Sequence, residues 1–199
     1  MNYKKTKSDL SKEYWEDKYK LNDIGWDLGH ISTPIKEFID QLYNRQLKIL
    51  IPGAGNSFEA EYLLKQGYIP TVLDIAKQPL QNVLSRFPIF PRENLIQEDF
   101  FNHNSSYNLI LEQTFFCALH PDLRINYVKK MSQLLKKKGK LVGLLFDFEL
   151  SEEGPPFGGS LREYQNLFST YFNIKILERC YNSIKPRFGR ELFFIFEKK

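Results

Sequence analysis

Apolar positions along this chain fall into blocks, and the spacing within the blocks alternates between two periods. Short continuous apolar runs at Leu47–Pro52, Ile69–Leu73, Tyr107–Glu112 and Lys140–Phe148 predict strands buried on both faces. Between them the spacing turns helical. Ser57 is placed to cap a helix that runs through Tyr62, Leu63 and Leu64 to Gly67. Lys77–Ser85 is a second helix, with Pro79 in its first turn, where a missing amide proton costs little. In a third, Arg124–Lys136, the residues Ile125, Val128, Met131, Leu134 and Leu135 form an apolar stripe, and the pattern stops at Gly139. Leu95–Gln97 reads as a short strand and Leu161–Phe168 as a helix. Phe172–Arg179 and Glu191–Glu197 read as two last strands, joined by a loop holding Pro186, Arg187 and Gly189. Upstream, residues 9–45 are expected to be helical, capped at Asp9 or Ser11 and broken around Asn22–Gly25.

Strands that alternate with helices imply an α/β fold with a parallel sheet and helices on both faces. No helix separates the last two strands, so they should pair antiparallel. The expected architecture is a seven-stranded, mostly parallel, Rossmann-like sheet ending in a C-terminal hairpin. It is one domain, in which residues 1–45 form a helical lid segment over an α/β core at 46–199.

The chemistry is concentrated where the first strand ends. Pro52-Gly53-Ala54-Gly55 stops an apolar run at a Gly-x-Gly turn, and the second run ends in Leu73-Asp74. Glycines let the backbone itself approach a ligand, and Asp74, about 20 residues beyond the turn, is placed to accept both hydroxyls of a ribose. Such a turn also makes a tight strand-to-helix corner with no ligand, and the motif alone does not separate the two readings. Phe58 stands where a dinucleotide site would want a third small residue, which argues against a pyrophosphate at the helix start.

Composition narrows the class. The chain has 199 residues with 42% hydrophobic and 26% charged residues, enough for a core without disulfides. The +4 net charge owes part of its excess to Lys136-Lys137-Lys138 and Lys140, read as a solvated helix end rather than a nucleic-acid patch. Cys117 and Cys180 are not in a Cys-x-x-Cys pair, and His30, His103 and His120 lack ligand spacing, so no metal site is expected. No apolar run approaches transmembrane length and the start is polar. The expectation is a cytoplasmic monomer acting on a small molecule, without nucleic-acid or membrane partners.

An ordered set of motifs resembles the thiopurine S-methyltransferase family, including its thiol and halide methyltransferase branch. The pieces are Tyr14-Trp15-Glu16-Asp17-Lys18-Tyr19, Gly25-Trp26, Pro52-Gly53-Ala54-Gly55, Leu73-Asp74, Glu98-Asp99-Phe100-Phe101, Phe115-Phe116-Cys117-Ala118, Pro121-x-x-Arg124-x-x-Tyr127 and Gly154-Pro155-Pro156-Phe157. They cover nearly the whole chain, and Phe115-Phe116-Cys117-Ala118 is closest to the thiol and halide branch.

The resemblance implies a class I methyltransferase fold. It also implies S-adenosylmethionine as cofactor, S-adenosylhomocysteine as product, and in-line methyl transfer to a small soft nucleophile: a thiol, bisulfide, thiopurine-like thiol or halide. It places Pro52, Gly53, Ala54, Gly55, Asp74, Ile75, Asp99, Phe100 and Glu112 around the cofactor. Trp15 and Tyr19, one helical turn apart, form with Trp26 an aromatic lid that suits a sulfonium cation. Glu112, Gln113 and Arg124 are the candidate catalytic residues, and Trp26, Phe116, Pro156 and Phe157 the candidate acceptor contacts. Animal thiopurine enzymes carry arginine at the Gln113 position, which leaves thiopurine itself in question. A thiol acceptor would profit from a neighbouring cation that favours the thiolate. Arg124 falls on a family motif, whereas Arg187 and Arg190, in the last loop, are as readily explained by solvation.

Overall fold

The computed structural model describes residues 6–199. Seven strands form one sheet in the order β3-β2-β1-β4-β5-β7-β6: β1 (Ile49–Pro52), β2 (Thr71–Asp74), β3 (Leu95–Gln97), β4 (Tyr107–Gln113), β5 (Leu135–Phe146), β6 (Phe172–Arg179) and β7 (Glu191–Lys198). The first five run parallel, and β7 is antiparallel to both β5 and β6. The α/β expectation with a terminal hairpin is therefore met. Because β7 enters against β5, with Glu191 opposite Phe146, the β6–β7 loop lies at the carboxyl edge of the parallel strands.

Helices α1 (Lys12–Lys20), α2 (Thr33–Asp40), α3 (Phe58–Lys65), α4 (Lys77–Arg86), α5 (Arg124–Leu134) and α6 (Leu161–Phe168) complete the fold. One apolar cluster joins β4, β5 and β7 to α5 and α6 through Tyr127, Met131, Phe168, Phe194 and Phe196. A second joins the sheet to α2, α3 and α4 through Ile35, Leu63, Val72 and Val83. The two clusters occupy opposite faces because strand side chains alternate: Leu50 and Ile110 belong to the first, Ile49, Ile51 and Leu111 to the second.

One local expectation is refined and two are corrected. The stretch 9–45 holds two short helices, its expected break widened to an irregular connection at 21–32, and Ser11, one of the two expected caps, caps α1 by accepting from the Tyr14 amide at 3.4 Å. Ser57 precedes α3 in a left-handed conformation (φ 48°), and its side chain makes no capping bond. Helix α5 ends at Leu134, so the lysine run belongs to β5 and not to a helix end. From Leu135 the backbone finds a strand partner in Tyr107, a register shift follows, and Lys136 Nζ reaches Asn108 Oδ1 at 3.2 Å. Among the described residues, no helix is long and apolar enough to cross a membrane, and no group of His, Cys, Asp or Glu is arranged to hold a metal ion.

Candidate active site

A cavity of about 420 Å³ opens along the carboxyl edge of the sheet, within the usual range for small-molecule clefts. Its lining follows the strand order. Asp74 and Ile75 come from the end of β2, Gly53–Glu59 from the turn after β1, and Leu111–Phe115 from the end of β4. Phe146 from β5 and Arg187 from the β6–β7 loop close the far end.

The glycine turn is the floor. Gly53 and Gly55 both have positive φ (55° and 54°), which side chains rarely tolerate. Each is also closely covered. A Cβ on Gly53 would overlap the Phe115 ring, and one on Gly55 would come 2.9 Å from the Tyr19 hydroxyl. Asp74 pins the turn: Oδ2 accepts from the Gly55 amide at 2.9 Å and Oδ1 from the Ala76 amide at 2.8 Å. Burial nevertheless pushes its carboxyl up to about 6, because two amide donors only partly replace lost hydration. Two sugar hydroxyls would supply the missing donors. Ser57 Oγ, on the same wall, is buried without a hydrogen-bond partner. The turn, the under-compensated carboxylate and this orphaned hydroxyl fit the sugar and amino-acid parts of S-adenosylmethionine.

The roof is aromatic. Trp26 stands between Trp15 and Tyr19, edge-on to each, with ring centroids 5.6 and 5.9 Å apart. Hydrogen bonds tie this N-terminal segment to three parts of the core. Glu16 Oε1 accepts from the Lys77 amide at 2.7 Å, Asn56 Nδ2 donates to Asp27 Oδ2, and Arg187 Nη2 donates to the Trp26 carbonyl at 2.8 Å. Ser32 Oγ donates to Gln113 Oε1 at 2.5 Å, which fixes that amide at the cavity wall.

Glu112 departs from its expected orientation. It is fully buried, Oε1 accepts from the Phe115 and Phe116 amides (2.9 Å each), and Oε2 accepts from the Tyr127 hydroxyl. Although it borders the cavity, it acts as a bracket for the loop that carries Phe115. Desolvation pushes its pKa up to about 7 in spite of these donors. The same loop turns at Thr114 (φ 62°) and brings Cys117 to the wall, where Sγ donates to the Thr114 carbonyl.

Other expected residues lie outside the lining. Arg124 does not reach the cavity. It is buried beneath α6, with Nη1 paired to Glu163, Nη2 donating to the Gly158 carbonyl at 2.6 Å, and its guanidinium over the Phe116 ring. This placement corrects the expectation of a catalytic arginine there. Phe116 and Phe157 are buried behind the wall instead of facing it, Phe116 against Tyr127 and Tyr164, and Phe157 beside His120. Pro52 is buried at the end of β1. Asp99 Oδ1 closes a turn by accepting from the Phe101 amide at 2.8 Å, and Phe100 packs on Phe101, Phe115 and Tyr127. Trp15, Tyr19, Trp26, Gly53, Ala54, Gly55, Asp74, Ile75, Glu112, Gln113 and Pro156 all line the cavity.

Arg187, one of three arginines the sequence offers as a cation near the acceptor, takes the place expected of Arg124. Flanked by Pro186 and Gly189 it reads as surface turn, yet it is only 9% exposed and lines the cavity, while Arg190 is exposed. Its spacing of four from Glu191 was the one available signal, and Nη1 lies 3.5 Å from Glu191 Oε1.

A family described as Thiopurine S-methyltransferase (TPMT) matches residues 10–198. The chain is 28% identical over 165 residues to an Arabidopsis thaliana protein named "Probable thiol methyltransferase 2", covering 80% of this chain and 73% of that one. It is 26% identical over 183 residues to thiocyanate methyltransferase 1 of Brassica oleracea (89% and 81% covered). Among solved structures, the Burkholderia thailandensis 1,6-didemethyltoxoflavin-N1-methyltransferase with bound 1,6-didemethyltoxoflavin and S-adenosylhomocysteine superposes with a TM-score of 0.78. The match covers 96% of this chain and 88% of that one at 16% identity, which establishes the shared fold.

Proposed function

Because the chain belongs to the thiopurine S-methyltransferase family and is an S-adenosylmethionine-dependent S-methyltransferase, we propose that its acceptor is a small soft nucleophile of the thiol, bisulfide, thiocyanate or halide kind. The observation that carries this reading is the composition of the acceptor end. Phe115, Cys117, Ala118, Leu119, Phe146, Pro155 and Pro156 wall it, a surface suited to a polarisable group of few atoms. A second void of about 10 Å³, room for one water, lies among Thr114, Cys117, Phe146 and Glu191.

The cofactor supplies a methyl group on a sulfonium, already activated for displacement. What remains for the protein is binding, alignment and exclusion of water. Asp74 would hold the ribose, the amides and hydroxyl of Gly53–Ser57 would hold the amino-acid tail, and Ile75 would border the base, while Asp99 and Phe100, outside the lining, would support that end from behind. Trp15, Tyr19 and Trp26 shield the cation, each ring contributing about 0.5–2 kcal/mol. Alignment of two reactants in a dry cleft is worth about 7–11 kcal/mol, enough to leave little work for a general base. We further propose that the chain works as one domain, a cytoplasmic monomer whose lid, within the segment 1–45, is α1 with the connection at 21–32, α2 being packed on the sheet.

The test is headspace detection of methylated products from iodide, bisulfide, thiocyanate and aromatic thiols, with calorimetry of S-adenosylmethionine. Turnover of at least one soft acceptor is expected. Cofactor binding without turnover on the whole panel would contradict the acceptor class.

A further inference from the structure

Taking the acceptor class above as given, we propose that Arg187 is the specificity-determining residue of the acceptor end, its Nη1 donating to the negative charge of a small anionic nucleophile. Among the described residues, two permanently cationic ones line the cavity, Lys18 and Arg187. Lys18 is engaged by Asp23 at the lid end. Arg187 lines the same cavity as Cys117 and lies over the Phe146 ring, 5.7 Å from the guanidinium to the ring centroid.

Its donors are unequally used. Nη2 is committed to the Trp26 carbonyl, whereas Nη1 is buried without a hydrogen bond. The nearest acceptor, Glu191 Oε1, is 3.5 Å away, an ion pair without hydrogen-bond geometry. A buried guanidinium donor left unmade is costly, and a ligand that supplies an acceptor recovers that cost. The carboxyls that could compete are weak competitors. Burial raises Glu191 and Glu59 towards the neutral form, and Glu112 is already saturated by Tyr127, Phe115 and Phe116. The Cys117 thiol, also raised by burial, adds no negative charge.

The reaction fixes the kinetic consequence. An anion forms a bond to the methyl carbon as the bond to the cationic sulfur breaks, the electron pair passing to that sulfur, and both products are neutral thioethers or their equivalents. Negative charge on the acceptor is largest before transfer and fades along it. A cation facing the acceptor therefore stabilises the bound ground state more than the transition state, so it sets KM without raising kcat. Because the same guanidinium holds the Trp26 carbonyl, acceptor binding and lid closure share one side chain.

The test compares Arg187→Gln, Arg187→Lys and Glu191→Gln, each checked for folding by near-ultraviolet circular dichroism and for S-adenosylhomocysteine binding by calorimetry. Arg187→Gln is expected to raise KM for thiocyanate and bisulfide by about 10–150-fold, the range of a lost hydrogen bond to a charged group, with kcat unchanged or raised but not lowered. Arg187→Lys should recover part of the loss. Glu191→Gln, which removes a competing negative charge, should lower KM for the same anions, and dimethyl sulfide, a neutral acceptor, should lose only what the broken Trp26 contact costs, well below the loss for the anions. Thiocyanate titrated into wild type saturated with S-adenosylhomocysteine should bind, and into Arg187→Gln should not. Thiocyanate affinity within about twofold of wild type in Arg187→Gln would overturn the proposal. So would an equal loss for anionic and neutral acceptors, which would leave Arg187 only a lid anchor. Wild type that fails to bind S-adenosylhomocysteine would instead contradict the proposed function itself.

Discussion

The β1–β2 half of the carboxyl edge and the β4–β7 half are assembled from different materials. In the first, backbone does the recognition: Gly53–Gly55 and Asp74 are close in sequence, and the carboxylate organises the turn through the Gly55 amide. In the second, side chains do it, drawn from positions as distant as Ser32, Gln113, Phe146 and Arg187. A cofactor whose shape never changes suits a floor built from fixed dihedrals. An acceptor end made of aromatic and aliphatic side chains on loops is free to vary without disturbing that floor. Phe115 joins the halves, since its ring covers Gly53 while its amide hangs from Glu112.

The contrast can be broken first at the floor. Gly53→Ala forces a side chain into left-handed backbone, at about 1–2 kcal/mol, and into the Phe115 ring. Displacing that ring misplaces both halves at once, so kcat/KM should fall at least about 100-fold in steady-state assays. Asp74→Asn comes next, with an expected loss of about tenfold or more in S-adenosylhomocysteine affinity by calorimetry. The pH profile sharpens it. The Asp74 carboxyl has been raised to about 6, and hydroxyl donors from a ribose favour its ionised form. Affinity should therefore climb as pH rises through about 6 and flatten above, a dependence that Asp74→Asn abolishes.

The bracket between the halves gives a smaller effect. Tyr127→Phe removes a donor from fully buried Glu112, which should cost about 1–3 kcal/mol of stability and a few-fold in kcat/KM. Glu112 and Glu59 have both been raised to about 7 by burial, so the folded protein binds their protons more tightly than the unfolded chain. Unfolding free energy should accordingly fall as pH rises from about 4.5 to about 7 and level off beyond, read by urea titration. Glu112→Gln should flatten part of that slope. Smallest in activity is Arg124→Gln. It leaves Glu163 and the Gly158 carbonyl unpaired and lowers Tm, but it should change KM for any acceptor by less than about threefold.

These expectations also mark what could be read from the sequence. Strands, their order of alternation with helices and the terminal hairpin were legible, because apolar period reports burial directly. The glycine turn and Asp74 were legible because a backbone site is local in sequence. Glu112 was placed correctly at the strand end, but which way its carboxylate turns depends on Tyr127, fifteen positions later, through a contact that no period encodes. Arg124 and Arg187 were misjudged for related reasons. Each is buried by an element elsewhere in the chain, α6 for one and the lid for the other, and arginine on a loop carries no local sign of such cover. The lysine run was assigned to a helix end because Leu134 and Leu135 continue the helical spacing, although Leu135 already pairs with β4.

The assignment of the floor is tested most directly by a crystal structure of the wild-type protein with S-adenosylhomocysteine. Both ribose hydroxyls are expected within about 3.2 Å of the Asp74 carboxylate, with the Trp15, Tyr19 and Trp26 rings closed above the sulfur. A ligand found elsewhere, or a ribose turned away from Asp74 with that carboxylate still bonded only to Gly55 and Ala76, would contradict it.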